Sequence, residues 1–228
     1  MAENGMIIAI DGPAGSGKST VAALLARRYN YVNIETGAMY RALALKALEA
    51  GVPVDDEAAL ADLAGKSRIE LVARPDGNRV LLDGNDVTER IRHQDVTEAA
   101  SRVSIHPKVR AWMVQSQREL GAAGGVVMEG RDIGTHVFPQ ADVKIFLDAD
   151  PEVRGARRFL QNPAVHLKEK AAADLRERDH RDRTRANSPL VPAPDAVIID
   201  STHLTLDEVI AKVVDVIEIR RLQAREIK

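Results

Sequence analysis

Gly12, Gly17, Lys18 and Ser19 stand in the spacing G-x-x-x-x-G-K-[ST], and the run Gly12-Pro13-Ala14-Gly15-Ser16-Gly17-Lys18-Ser19-Thr20 has the chemistry of a phosphate-binding loop. Glycines leave backbone N–H groups free to curl around phosphate oxygens. Lys18 carries a point charge to the terminal phosphates, and Ser19 offers a hydroxyl to Mg2+. An apolar run, Met6 to Ile10, precedes the loop and a helix-like stretch, Lys18 to Tyr29, follows it, so a bound anion would face a helix N-terminus. A plain glycine turn between strand and helix needs neither the lysine nor the serine. The loop reads as a nucleoside triphosphate site, without saying what is done with the triphosphate.

A second set of chemistry-bearing residues is rich in arginine. Thr36 has the chemistry of a helix N-cap, with Arg41 one turn further on, and Ser101 and Arg110 lie on two later helix-like segments. Arg131-Asp132 follow a strand-like run at its carboxyl end, where open α/β sheets bind ligands. Arg178, Asp182 and Arg185 are spaced i, i+4, i+7 and share one helix face. Asp150 and Pro151 read as an N-cap and first helical residue, which puts Arg154, Arg157 and Arg158 along one side of the next helix. Taken singly, several of these have bland readings. Asp174–Arg178 and Glu177–Arg181 match solvated i,i+4 pairs, for example, and Thr36 alone is an ordinary cap. The six histidines show no metal-ligand spacing and are assigned no role.

These side chains must be held by a scaffold. Strand-like runs at Met6–Ile10, Tyr31–Ile34, Gly125–Met128, Val143–Leu147 and Ala196–Ile199 alternate with helix-like segments at Lys18–Tyr29, Ala38–Ala50, Pro151–Leu160 and Leu206–Ile219. The runs have little internal alternation, as in strands covered on both faces, and the rhythm predicts an α/β fold with a mainly parallel sheet. Ile69–Ala73, Asn78–Leu82 and Asn85–Val87, joined at Asp76-Gly77 and Asp83-Gly84, break that rhythm and predict a small antiparallel insertion. Two helix-like segments, Gln94–Val103 and Pro107–Leu120, lead back to the sheet, and the polar tail after Ile219 continues a helical pattern.

Composition narrows the classes. The 228 residues carry a net charge of −2 and only 3% aromatic side chains, which argues against a nucleic-acid binder working by a global basic field or by base stacking. There is no cysteine, so disulfides, thiolate metal sites and cysteine nucleophiles are excluded, in keeping with a reducing cytoplasm. The N-terminal apolar run is too short for a signal peptide or a membrane span.

The segments IDGPAGSGKST, ETGAMYRALAL, EGRDIGTHVFP, VKIFLDA and RERDHRDRTRANSPLVPAPDAVIIDST, with the three-strand insertion among them, together resemble the bacterial cytidylate kinases, P-loop nucleoside-monophosphate kinases, over about residues 6 to 215. The most specific parts are GRDIGT, the RDxRDRxR helix and the DST near the end. The resemblance implies a P-loop NTPase core of parallel sheet flanked by helices, an antiparallel three-stranded insertion in the monophosphate-binding region, and a short helical lid. It implies one kinase domain with core segments 1–35, 121–150 and 190–228, a monophosphate-binding region 36–120 and a lid 151–189. By position, the loop from Gly12 to Thr20 would hold ATP and, through Ser19, Mg2+, while Arg157 and its neighbours would belong to the lid over the phosphates. Arg41, Arg131 and Arg185 would clamp the monophosphate, Thr36, Ser101, Arg110 and Asp132 would read cytosine, and Arg178 and Asp182 the pentose. Lys18, Arg131, Arg157 and Arg185 would be the catalytic cations. Thr36 keeps the hydroxyl of the serine found in some members. Glu35 and Glu129 stand where many have aspartate and are left outside the site, and the stretch Leu160–His166 is shorter than the lid of some members.

The implied reaction is transfer from ATP to CMP or dCMP, by a cytoplasmic monomer with Mg2+ and with neither nucleic acid nor membrane as partner. Three other readings stay open on the residues alone. A P-loop kinase for another small acceptor would want a carboxylate base, a role open to Asp132. A nucleotide-dependent switch for GTP would want an N-K-x-D segment, which the chain lacks, and a nucleic-acid binder would have to rely on the arginines of 178–185.

Overall fold

The computed structural model describes residues 5–74, 77–161 and 168–226. Asp76 of the first expected turn, and residues 162–167 of the expected lid with His166 among them, lie outside the described residues. Five strands, β1 (Ile7–Asp11), β2 (Val32–Glu35), β6 (Val126–Gly130), β7 (Val143–Asp148) and β8 (Val197–Asp200), form one sheet in the order β2-β6-β1-β7-β8. β1 is central and parallel to both neighbours, with Ile7 opposite Val126 and Ile8 opposite Val143. Its apolar residues Ile8, Ala9 and Ile10 are completely buried, as a strand covered on both faces must be. β6 runs two residues beyond the apolar run Gly125–Met128, so Glu129 and Gly130 are buried strand residues and not the start of a loop.

The helices are α1 (Lys18–Tyr29), α2 (Thr36–Glu49), α3 (Glu57–Gly65), α4 (Gln94–Val103), α5 (Pro107–Gly121), α6 (Pro151–Gln161), α7 (Lys168–Thr184) and α8 (Leu206–Glu226). Asp150 caps α6 as its sequence suggests, accepting the Glu152 N–H on Oδ1 at 2.7 Å. The polar tail indeed continues α8 to Glu226. The insertion is a separate antiparallel sheet of β3 (Ile69–Arg74), β4 (Gly77–Leu82) and β5 (Asn85–Asp86). Between β4 and β5, Asp83 and Gly84 have φ of 51° and 85°, the pair of left-handed residues that a tight hairpin turn requires.

The chain divides into two compact units, residues 1–32 with 123–228, and residues 33–122. Each has its own apolar core. In the first, Ile8, Ile10, Val127, Val143 and Ile145 of the sheet pack with Val21 and Leu25 of α1 and Val213 and Ile217 of α8. In the second, Met39, Leu43 and Leu45 of α2 pack with Leu60 of α3, Val96 and Val103 of α4, and Met113 of α5.

Candidate active site

The loop after β1 has the backbone that phosphate binding demands. Gly12 adopts φ 149°, and a Cβ there would lie 2.0 Å from the Leu147 carbonyl oxygen on β7, so no side chain fits. Gly17, at φ 96°, takes the N-cap position of α1 without any capping side chain. That leaves the first N–H groups of α1 for an anion. Lys18 folds back over the loop, its Nζ donating to the Pro13 carbonyl at 2.6 Å and lying 3.4 Å from Ser16 Oγ. Ser19 Oγ donates to Glu129 Oε1 at 3.0 Å. Hydroxyl and carboxylate oxygens are the hard donors that suit Mg2+, so this pair fits that ion. Among the described residues no cluster of three or more His, Cys, Asp or Glu gathers, and such an ion would take its other oxygens from phosphates and water.

Charges of both signs surround Lys18. Burial, and then the Arg131 and Arg178 guanidinium groups, lower the Lys18 pKa to about 7, while Glu129 and Asp11 act the other way. Arg131 and Arg185 are brought together on one shared carboxylate, that of Asp182. Arg131 Nε donates to Asp182 Oδ2 at 2.9 Å, Arg185 Nη1 lies 3.6 Å from Asp182 Oδ1, and Arg185 Nη2 lies 3.9 Å from Asp132 Oδ1. Asp132 and Asp182 are only 6% and 5% exposed. Burial works to raise the Asp182 pKa, but Arg131, Arg178 and Arg185 outweigh it and hold the carboxyl below its usual range. Arg185 lies one residue beyond the end of α7, where its N–H still reaches the Arg181 carbonyl at 3.1 Å. Its Nε donates to the Ser188 carbonyl at 2.7 Å, which fixes the guanidinium from the far side.

The other four expected acceptor residues lie in the second unit. The cap position of α2 falls on Glu35 and not on Thr36, and no side chain caps the helix, so the sequence expectation of a Thr36 cap is corrected. Thr36 is instead the first helical residue, 4% exposed. Arg41 faces Glu35 at 3.9 Å. Arg110, buried on α5, donates from Nη1 to the Ser104 carbonyl at 3.1 Å and lies 5.8 Å from the centre of the Tyr40 ring. Ser101 is buried on α4, and its hydroxyl has no hydrogen-bond partner among the described residues.

Three residues acquire a place at the loop that their sequence positions did not announce. Glu129 partners Ser19, as above. Arg154 is buried against the loop, with Nη1 donating to the Ala14 carbonyl at 3.1 Å and to Asp179 of α7, and Nε to the Ala149 carbonyl at 2.9 Å. Ser201 receives Arg157 on both its hydroxyl, at 3.0 Å, and its carbonyl, at 2.8 Å. Its own Oγ donates to the Asp148 carbonyl at 3.1 Å and lies 3.4 Å from the Ser16 carbonyl of the loop. The signal for Ser201 was in the DST segment, and that for Arg154 in its place on one side of α6. Each depends on contacts far apart in sequence that spacing does not encode.

Comparison with known proteins identifies the family. A sequence profile described as cytidylate kinase matches residues 8–219. A protein named cytidylate kinase from Geobacillus thermodenitrificans is 51% identical over 221 residues, 96% of this chain and 99% of its own. Relatives of the same name from Enterococcus faecalis, 51% identical over 92% of this chain and 95% of theirs, and from Solibacter usitatus, 47% identical over 97% and 96%, are similar throughout. Among solved structures, a gluconokinase from Sinorhizobium meliloti shares the fold at a TM-score of 0.50 and 14% identity, covering 98% of this chain and 97% of that one. With a family profile spanning nearly the whole chain and relatives at about half identity along their full length, the chain belongs to the cytidylate kinase family.

Proposed function

We propose that this protein transfers the terminal phosphoryl group of ATP to CMP or dCMP, giving ADP and CDP or dCDP. The observation that carries the reading, beside family membership, is the cationic cluster. The buried Lys18 of the phosphate loop lies close enough to Arg131 and Arg178 for their charges to depress its pKa. Lysine and arginine charges gathered beside the phosphate loop favour bound anions, and a donor and an acceptor phosphate are two anions that must meet.

The chemistry needs no general base. The second phosphate pKa of a monophosphate is about 6, so the attacking oxygen is already largely ionised near neutrality. What the chain must supply is charge neutralisation, alignment and exclusion of water. Lys18 and the loop amides hold the donor, and Arg131 and Arg185, planar and bidentate, suit the acceptor phosphate and the charge that spreads over the transferring group. Both guanidinium groups are held in advance on Asp182, so little is lost in ordering them on binding. Mg2+, held by the Ser19 hydroxyl with Glu129 beside it, would neutralise phosphate charge. Residues 151–189 serve as the lid that closes before transfer, which keeps water from acting as acceptor.

By motif position, acceptor selection is assigned to Thr36, Ser101, Arg110 and Asp132, and the monophosphate and pentose to Arg41, Arg131, Arg178, Asp182 and Arg185. This reading rests on their motif positions and, for Ser101, on a buried hydroxyl with no hydrogen-bond partner among the described residues. A carboxylate such as Asp132 that accepts from the cytosine amino group rejects uracil, which presents a carbonyl there. The absence of cysteine supports a cytoplasmic location, and the resemblance supports a monomer, which light scattering at working concentration checks.

The decisive assay measures ADP release from ATP with a panel of nucleoside monophosphates and with none. Turnover is expected with CMP and dCMP and far less with UMP, and Arg131→Ala should lower kcat/KM by about 10²–10³-fold. Equal kcat/KM for UMP and CMP would falsify the assignment, and turnover without any acceptor would make the protein an ATPase or a switch.

A further inference from the structure

Asp11 acts on Lys18 as a nearby charge and is the last residue of β1, directly before Gly12 of the loop. It is 5% exposed. Its Oδ1 accepts the Ile133 N–H at 2.8 Å and its Oδ2 the Gly134 N–H at 2.7 Å. These consecutive amides open a short π-helical turn, Ile133–Val137, and come immediately after Arg131-Asp132. Two acceptor oxygens on two successive amides fix the position and the tilt of both peptide planes. Asp132, between the clamp arginine and that grip, has φ −148° and ψ 24°, belonging neither to the strand before it nor to the turn after it.

The space beside Gly134 is closed as well. A Cβ on Gly134 would lie 3.2 Å from Lys144 Cδ and 3.4 Å from Asp11 Oδ2. Lys144 itself is drawn away to Asp195, at 2.8 Å, so its stem packs there while its charge is satisfied elsewhere. A buried carboxylate is an expensive way to end a strand, and burial pushes this one up to about 7 despite the two amide hydrogen bonds. An apolar residue would fill the same volume without that cost, but it could not hold two amides.

We infer that Asp11 is a positioning residue for acceptor binding: by gripping the Ile133 and Gly134 amides, its carboxylate sets the direction in which Arg131 and Asp132 are presented to CMP. The inference rests on the reading of the chain as a CMP kinase. Because the same strand end continues into Gly12, a single residue ties the donor loop to the segment that carries the acceptor clamp.

The test is steady-state kinetics with both substrates varied, on the full chain, for the wild type, Asp11→Asn and Gly134→Ala. Asparagine keeps the shape of aspartate but turns one acceptor into a donor facing an N–H. The expected result is a KM for CMP raised about tenfold or more, with reduced preference for CMP over UMP, while the KM for ATP stays within about twofold. Gly134→Ala leaves every charge in place and presses on Lys144 Cδ and Cγ, at 3.2 and 3.3 Å, so that the gripped segment must shift against Asp11, and should raise the KM for CMP about threefold. An unchanged KM for CMP in both variants, or an equal rise in both KM values, overturns the inference. If Asp11→Asn does not fold, the Gly134→Ala result decides alone. Wild-type turnover of CMP upholds the kinase reading whatever the variants do, whereas a wild type inert towards CMP removes that reading and the inference with it.

Discussion

Lys18 illustrates a conflict between stability and function inside one side chain. Its pKa is lowered from 10.5 to about 7, mainly by burial and then by Arg131, so the folded protein resists its charged form. For a group depressed in this way, the stability it lends is present above about pH 10.5 and is lost as pH falls through about 7. Asp11 runs the other way. Raised from 3.8 to about 7, it lends stability below about pH 3.8 that is lost as pH rises through about 7. The two penalties meet near neutrality, where the nucleotide-free site is electrostatically least content. Lys18→Met should therefore raise the thermal midpoint of the nucleotide-free protein at pH 6–7 while abolishing phosphoryl transfer, and the gain should fade towards pH 10. Thermal melts across that range check it; a gain that does not vary with pH, or a loss, would show that the ammonium is adequately compensated without phosphate.

At the scale of elements, the glycine loop and the strand pairs show what the chain announces and what it conceals. Gly12 and Gly17 both have positive φ, but only Gly12 faces a wall, the Leu147 carbonyl. Gly17→Ala should cost about 1–2 kcal/mol of backbone strain and leave a folded protein, because nothing lies within 4 Å of the added methyl. Gly12→Ala should prevent β1 from leaving the sheet beside β7 and abolish the soluble fold. Expression and thermal melts of the two variants separate these outcomes. The loop, the parallel rhythm and the Asp83-Gly84 turn were legible because each follows from neighbours a few residues apart. Helix α1, from Lys18 to Tyr29, and α4, from Gln94 to Val103, lie where their apolar spacing puts them. Helix α3 and the turn at Ile133–Val137 did not declare themselves, one being short and alanine-rich, the other held by a carboxylate 122 residues earlier. Within the site, arginine types and spacing pointed to phosphate, but their mutual arrangement on Asp182 and Asp132 could not be read from spacing, since Arg131 and Asp182 lie 51 residues apart.

For the molecule as a whole, the two apolar cores imply two cooperative regions. Leu43 is completely buried in the core of residues 33–122 and takes no part in the cluster around β1. Leu43→Ala should cost about 2–5 kcal/mol. It should also speed amide exchange throughout residues 33–122, with much less change in β1 and β7. Hydrogen exchange read by mass spectrometry tests this, and equal acceleration everywhere would mean that the chain opens as a single unit.

The central place of β1 has a consequence for how the protein is made. Its partners lie far downstream, Val126 opposite Ile7 and Val143 opposite Ile8. A ribosome adding about 5–20 residues per second needs roughly 7–27 seconds to pass from one strand to the last of these. During that interval the apolar segment Ile7–Ile10 and the glycine loop have been synthesised with neither flank covered, while residues 33–122 follow with a core of their own. The strand that anchors the catalytic loop is thus left without either neighbouring strand for more than half of the chain's synthesis, which makes it a natural point of contact for a chaperone.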